Sequence, residues 1–371
     1  MRSICTLSAA AVLLLALSAC ATDDELPRSR LGALPFPGAF TLYEASGVSE
    51  LGPHRYAPWL ERPFERSEGA RGIMYTCRAG FLDLAHVREA VDWTRYAWRH
   101  TRALFQAGGG SHSFEHEDTR FVITVTLPPW WSDLAPPERD AMIDEAALRS
   151  AQRIAFDVQT WHEIATWCGW RTLPMISEAG SSFTCDDTTS HLVGVMIAGR
   201  LLRDGDADFD RRAAAELRSG LDELGAVPSA MVDRAARTVE GVWWSDGVAV
   251  RRDLDTGVED GFKIPWVVPD LECCTGCEPA VLAVPSLKSV NGRDLSAACE
   301  LRIAPPSWLL ERLRPGEPRT AQGFNSRELL SLIEIVRAQM AARWGPEFDR
   351  PAAPIRTTHL PAPPLSHHGG S

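Results

Sequence analysis

FVITVTLPPWWSDLAPPERDAMIDEAALRSAQRIAFDVQTWHEIATWCGW (121–170) is the stretch that decides the fold. Phe121 to Leu127 is a β-branched apolar run that reads as a strand, and Pro128-Pro129 ends it. The preceding SHSFEHE (111–117) is its candidate hairpin partner. Pro136-Pro137 then opens a helix over about 136–168, because proline suits the first helical turn. Ile143, Ala147, Ile154, Val158, Trp161 and Ala165 fall near one side of it, and Gly169 closes it. A hairpin followed by one long helix, with no strand returning after it, is not an alternating βαβ pattern. The expectation is a helix-rich α+β fold, one globular domain with a small antiparallel sheet.

Outward from this stretch the pattern stays helical. Gly72 to Cys77 is a short β-prone run, and Asp83 is a candidate cap for a helix carrying Leu84, Val87, Val91 and Trp98. Further helices are expected from near Asp186 to Gly205, over about 208–224 and 228–243, and over 327–344 behind a Ser326 cap. Residues 246–292 read as extended and turn-rich. The chain has 371 residues, 45% of them hydrophobic and 23% charged. That composition excludes collagen, a wholly disordered chain and a polytopic membrane protein. A net charge of −11 argues against nucleic acid as a partner.

The N-terminus reads as an address. Arg2, the apolar run Ala9 to Leu17 and the small residues before Cys20 describe a secretory signal, too short to span a bilayer. Leu17-Ser18-Ala19-Cys20 is similar to a bacterial lipobox, which implies cleavage before Cys20 and lipidation of its thiol. Acyl chains would anchor the chain to a membrane, and Ala21 points to the outer membrane. The expected organisation is a signal peptide (1–19), a lipidated Cys20 with its tether (20–35), one domain (36–350) and a Pro-rich disordered tail (351–371).

Export makes disulfides chemically admissible. Cys168 and Cys185 flank a short loop and are candidates to pair. Cys273, Cys274 and Cys277 read as a group joined by a disulfide to Cys299, with a half zinc site completed by Cys299 as the alternative. Cys77 is then the candidate free thiol.

Three segments carry potential chemistry. His162-Glu163 on a helix resembles the start of a zincin motif, but Thr166 stands where the second histidine belongs. A metal there needs ligands from elsewhere, and His54, His86, Glu178 and Asp187 are the candidates. Cys77, followed by a helix bearing His86, is the candidate thiol nucleophile, with His86 or His162 as its base. The loop Ser177 to Phe183 is a polar connector beside the His-Glu helix. No nucleophile elbow, P-loop or dinucleotide fingerprint occurs. Of the 13 Trp residues, most read as core, with a glycan-stacking surface as the alternative.

YTCRAGFLDLAHVREAVDWT (75–94), HEIATWCGW (162–170), SEAGSSFTCDDTTSHLVG (177–194) and DLDTGVEDGFKIPWVVP (253–269), with LGPHRY (51–56), resemble the bacterial family called domain of unknown function 4056. The resemblance implies an exported protein or lipoprotein and assigns no catalytic residue. In it Asn stands where this chain has His191, which sets His191 aside as a ligand.

The functional expectation is an outer-membrane lipoprotein that is a metal-dependent hydrolase. His54, His86, His162 and Glu178 would hold a divalent metal, zinc first, and Glu163 would be the general base. Its target would be an envelope component: peptidoglycan, lipid or peptide. The alternatives are a non-catalytic lipoprotein binding an envelope protein or glycan through an aromatic surface, and a Cys-His hydrolase using Cys77.

Overall fold

The computed structural model describes residues 26–27, 30, 32–33, 35–37, 43–55, 72–171, 177–316 and 323–351. The expected signal peptide, Cys20 and the tail beyond Pro351 lie outside them. β1 (Ile73–Thr76) and β2 (Gly80–Asp83) form a hairpin, and α1 (Leu84–Gln106) leaves directly from its end. β3 (Gly110–His116) and β4 (Thr119–Val125) form a second hairpin. Four helices follow: α2 (Pro136–Trp167), α3 (Asp187–Arg203), α4 (Phe209–Glu223) and α5 (Ser229–Thr238). The two-residue strands β5 (Trp244–Ser245) and β6 (Val248–Ala249) pair with each other, as do β7 (Phe262–Lys263) and β8 (Leu282–Ala283). β9 (Cys299–Ala304), α6 (Ser307–Leu313), β10 (Phe324–Asn325) and α7 (Leu329–Trp344) complete the order. The fold is helix-rich α+β.

The sequence explains the central elements. Asp83 caps α1 as expected, its side chain accepting the Ala85 amide at 2.7 Å. Gly169, at φ +96°, follows α2. Helix α2 is buried along most of its length, and α1 packs against both α2 and α3. α1 and α3 approach closely at Gly194, where an added Cβ would stand 2.4 Å from both Ala90 Cβ and the Val87 carbonyl.

The larger sheet is antiparallel in the order β10-β9-β4-β3. Along β4, Phe121, Ile123 and Val125 point into the core while the residues between them lie nearer solvent. A second core surrounds the β1–β2 hairpin, with Phe36, Tyr75, Phe81, Trp243, Trp244 and Trp266. Gly80 is required there: its φ is +70° and a Cβ would fall 1.9 Å from the Trp266 carbonyl.

Three expectations change. α5 stops at Thr238, because Gly241 turns the chain at φ +75° and Trp243 and Trp244 are buried in the second core. The last helix is preceded by a 3-10 turn (Ser326–Glu328) capped by Asn325, whose side chain accepts the Arg327 amide, so Ser326 is not the cap. β9 and α6 were not expected, and β9 supplies a central strand by pairing with β4 from Arg120↔Ala304 to Val125↔Cys299. Among the described residues no helix is long and apolar enough to cross a membrane.

Replacing Gly194 by Ala should lower unfolding stability by about 1–3 kcal/mol, the usual cost of overpacking. Gly180→Ala, with nothing within 4 Å of the new methyl, should stay within about 0.5 kcal/mol of wild type. Denaturant unfolding of both variants checks this, and equal stability would remove the close crossing as a constraint.

Candidate metal centre

Three helix segments bring the polar cluster together. The start of α1 contributes Asp83 and, one turn later, His86. The last turns of α2 contribute His162 and Glu163. The start of α3 contributes Asp186 and Asp187, with His191 one turn on. Carboxylates at the N-termini of α1 and α3 sit at the positive ends of the helix dipoles.

His86, His162 and Glu163 each offer a ligand atom, and these atoms lie within 4.8 Å of one another. Ligands around a tetrahedral zinc, bonded at about 2.0–2.1 Å, are roughly 3.3 Å apart, so small side-chain adjustments close the set. His162 Nδ1 lies 2.8 Å from Glu117, which leaves Nε2 as its free nitrogen. Glu163 Oε2 accepts the Phe183 amide at 2.9 Å, while Oε1 is buried with no hydrogen-bond partner. His86 Nδ1 is also buried without a hydrogen bond, although Asp187 Oδ1 is 3.3 Å away. Two orphaned buried atoms at one point need an explanation, and a cation provides one. The His86 and His162 side chains keep 15% and 21% exposure, whereas Glu163 is buried.

The electrostatics point the same way. Burial pushes Glu163 up to about 8, and Asp187 adds to the shift against the opposing imidazoles. Burial likewise raises Asp83 to about 6 despite His86 and two amide donors. Asp186 is driven well above the carboxylate range by burial and then by Asp187 and Asp83, and its Oδ2 has no partner. Burial opposes the charged form of His162, but Glu117 overcomes it and holds the imidazole up at about 10. The reciprocal effect holds Glu117 far below the carboxylate range, against its own burial. His86 is raised in the same way, by Asp83 and Asp187 against burial. His191 is pushed well below its ordinary value by burial and by the neighbouring His86 and His162. The site therefore holds more buried carboxylate than its imidazoles balance.

The family described as "Protein of unknown function (DUF4056)" matches residues 15–252. The chain belongs to this family. No curated protein and no solved structure matches it. The DUF4056 span includes every residue of the cluster, from Asp83 to His191.

Of the expected ligands, the structure joins His86 and His162 and adds Glu163 to them. His54 does not join. Its Nε2 is bound to Asp92 at 3.0 Å and its Nδ1 faces Arg88 at 3.4 Å, on a different stretch of α1, so both nitrogens are committed. Glu178 lies in the loop before α3 and is not part of the group. Asp187 stands beside His86 as one of the candidates named from sequence.

Cys77 is corrected: it is bonded to Cys274, so it is no free nucleophile, and the Cys-His hydrolase reading loses its thiol. Cys168 and Cys185 are buried and unpaired. Cys299 is also unpaired, in β9 and in the other core, so it does not join Cys273 and Cys277. Sequence reasoning missed Glu117, which sits at φ +52° in the β3–β4 turn, and the FEHED run (114–118) gives no sign that it backs His162. It also set aside His191, which packs 5.1 Å from the His86 ring.

The His54 contact has its own consequence. Burial alone would raise Asp92, but His54 and Arg30 overcome it and hold the carboxyl at about 2. A depressed carboxylate stabilises the fold above its ordinary range, and that contribution is lost as pH falls through the folded value. Wild type should therefore lead Asp92→Asn at pH 5 by a margin that shrinks by about 2 kcal/mol as the pH falls to 2. Denaturant unfolding across that range measures it, and a margin independent of pH would refute the ion-pair account.

Proposed function

We propose that the chain is a metal-dependent hydrolase in which His86, His162 and Glu163 hold a divalent ion. One observation carries the reading: two imidazoles converge with a buried carboxylate oxygen that has no hydrogen-bond partner, and the His162 ring is bonded to buried Glu117 through Nδ1. Metal-binding histidines usually give their second nitrogen to such a carboxylate, which fixes ring orientation and basicity. Two histidines and one carboxylate with a position left open is the ligand set of catalytic zinc, so zinc is the ion we expect.

Such an ion would lower the pKa of water toward about 7 and polarise the bond to be cleaved. The residues of the chain position it. Glu117 fixes the His162 ring, the Phe183 amide aims Glu163, and Trp170 flanks His162 at 5.7 Å between ring centroids. In this arrangement Glu163 is a ligand; the general-base role read from sequence is its alternative. With the lipobox at Cys20, the substrate class is an envelope component: peptidoglycan, lipid or peptide. The aromatic-surface alternative finds little support, since among the described residues Trp308 is the one tryptophan counted as exposed.

The test is metal content by elemental mass spectrometry on the full chain purified without chelators. Near-stoichiometric zinc in wild type, lost in His86→Ala and His162→Ala, is the expected result. No metal in any sample after reconstitution would end the proposal. Glu163→Gln separates its two roles: loss of the ion marks a ligand, and retention of the ion with loss of hydrolysis marks the base. Glu117→Gln should weaken metal affinity by about 10–100-fold, the usual effect of losing such a supporting carboxylate; unchanged affinity in a chelator competition would remove Glu117 from the site.

A further inference from the structure

A second reactive cluster lies in the second core, and three of its four cysteines fall beyond the DUF4056 span. Cys77, in the β1–β2 turn, is bonded to Cys274. Cys273 is free and exposed, with its Sγ 3.7 Å from Cys274 Sγ. The sulfurs of Cys77, Cys273 and Cys274 all lie within 4.8 Å of one another, and the Cys273 carbonyl faces Cys77 Sγ at 3.6 Å. A free thiol thus stands beside a disulfide it can attack.

The next residues supply a fourth sulfur. Thr275 has φ −57° and ψ 124°, Gly276 has φ +80°, and the Cys277 amide donates to the Cys274 carbonyl at 3.0 Å. Those values define a type II β-turn with Cys274 and Cys277 at its ends, and glycine fills the one position that needs positive φ. A β-turn holds its end Cα atoms within about 7 Å, and disulfides need about 4.4–6.8 Å. Cys274 and Cys277 are therefore placed to bond, and Cys277 is free and exposed. In the present state the bond to Cys77 occupies Cys274 and masks this Cys-x-x-Cys pair.

We propose that Cys77, Cys273, Cys274 and Cys277 form a thiol–disulfide exchange site whose substrate is a low-molecular-weight disulfide. In the first step the Cys273 thiolate attacks Cys77 Sγ. The Cys77–Cys273 bond forms, the Cys77–Cys274 bond breaks, and Cys274 leaves as the thiolate that takes up the proton Cys273 lost. This step is an isomerisation with no net oxidation. In the second, the Cys274 thiolate attacks the substrate disulfide, forms a mixed disulfide and expels one thiolate. Cys277 then attacks Cys274 Sγ, closes the Cys274–Cys277 bond across the turn and releases the second thiol. The dithiol loses two electrons, and the substrate disulfide is reduced to two thiols. Each step is ordinary thiolate attack on a disulfide sulfur.

The experiment is disulfide mapping on the full chain after incubation with glutathione buffers of rising oxidised fraction, acid quenching and alkylation. Tandem mass spectrometry that cleaves between Cys273 and Cys274 reads which sulfur is bonded. The expected result is a Cys77–Cys273 species growing beside Cys77–Cys274, then a Cys274–Cys277 bond at the oxidised end. Cys277→Ser should stop at one glutathione on Cys274. Cys274→Ser should bond Cys77 to Cys273. If Cys77–Cys274 is the sole bond at every ratio, with glutathione added to Cys273 and Cys277 independently, the proposal is overturned. It is equally overturned if the four sulfurs are found reduced around a retained zinc ion. The wild-type mapping decides the matter even where a serine variant fails to fold.

Discussion

The carboxylate of Asp83 is the contact on which the rest is hung. It ends β2 and caps α1, with Oδ1 on the Ala85 amide and Oδ2 on the Ala33 amide. Its own amide donates to the Ser190 hydroxyl oxygen of α3 at 2.9 Å. One fully buried residue therefore ties the second core, the start of α1, the side of α3 and the N-terminal segment. A buried carboxylate is costly unless its hydrogen bonds are made, and this one makes them. The same placement fixes His86 one turn later, so the residue that sets the helix start also sets the first candidate ligand.

The neighbouring groups are not satisfied in the same way. Glu163 Oε1, His86 Nδ1 and Asp186 Oδ2 are buried without hydrogen bonds. A core built only for stability would replace such groups with apolar ones, because buried charge is weak evidence for stability. Raised pKa values at Glu163 and Asp186, together with a depressed one at His191, mark a place where burial was accepted without full local compensation. Perturbed titration of this kind concentrates at functional sites. The bond that His162 gives Glu117 shows that the surroundings are organised: a turn residue in an uncommon backbone conformation is held between His162 and His116.

What the sequence made legible follows from local chemistry. The Asp83 cap, the proline start of α2, the glycine after it and the β3–β4 alternation are all encoded within a few residues of where they act. What stayed hidden is non-local. β9 has an ordinary strand pattern, CELRIA, but nothing in it says that its partner lies some 180 residues earlier in β4. The sequence offers His86 and His162 as candidates but His54 equally with them, because spacing does not tell which face of α1 a histidine meets. Glu117 was invisible, since a backing carboxylate leaves no motif. The cysteines show the same limit: the cluster at Cys273 to Cys277 is visible in the sequence, but nothing local says that Cys77, 197 residues before Cys274, bonds to it.

The chain beyond the DUF4056 span also bears on the centre, through Arg252 at the edge of that span. Arg252 is fully buried, and its guanidinium donates to the carbonyls of Gly180, Ser182 and Ala249. Its amide donates to the Phe348 carbonyl, and Trp344 of α7 lies 4.8 Å from the guanidinium carbon. Asp253 donates its amide to the Phe183 carbonyl, and Lys263 closes on the Asp253 carboxylate at 2.7 Å. The loop 180–183 is thus gripped from one side by residues 252–263 and α7, and from the other by Glu163, which accepts the Phe183 amide. Without that grip the loop would be an ordinary polar connector, free to turn its amides to water. With it, the amide direction is fixed, and Glu163 Oε1 is left as the oxygen facing the imidazoles. The C-terminal third, which contributes no residue to the candidate ligand set, still determines which oxygen of Glu163 is available to it.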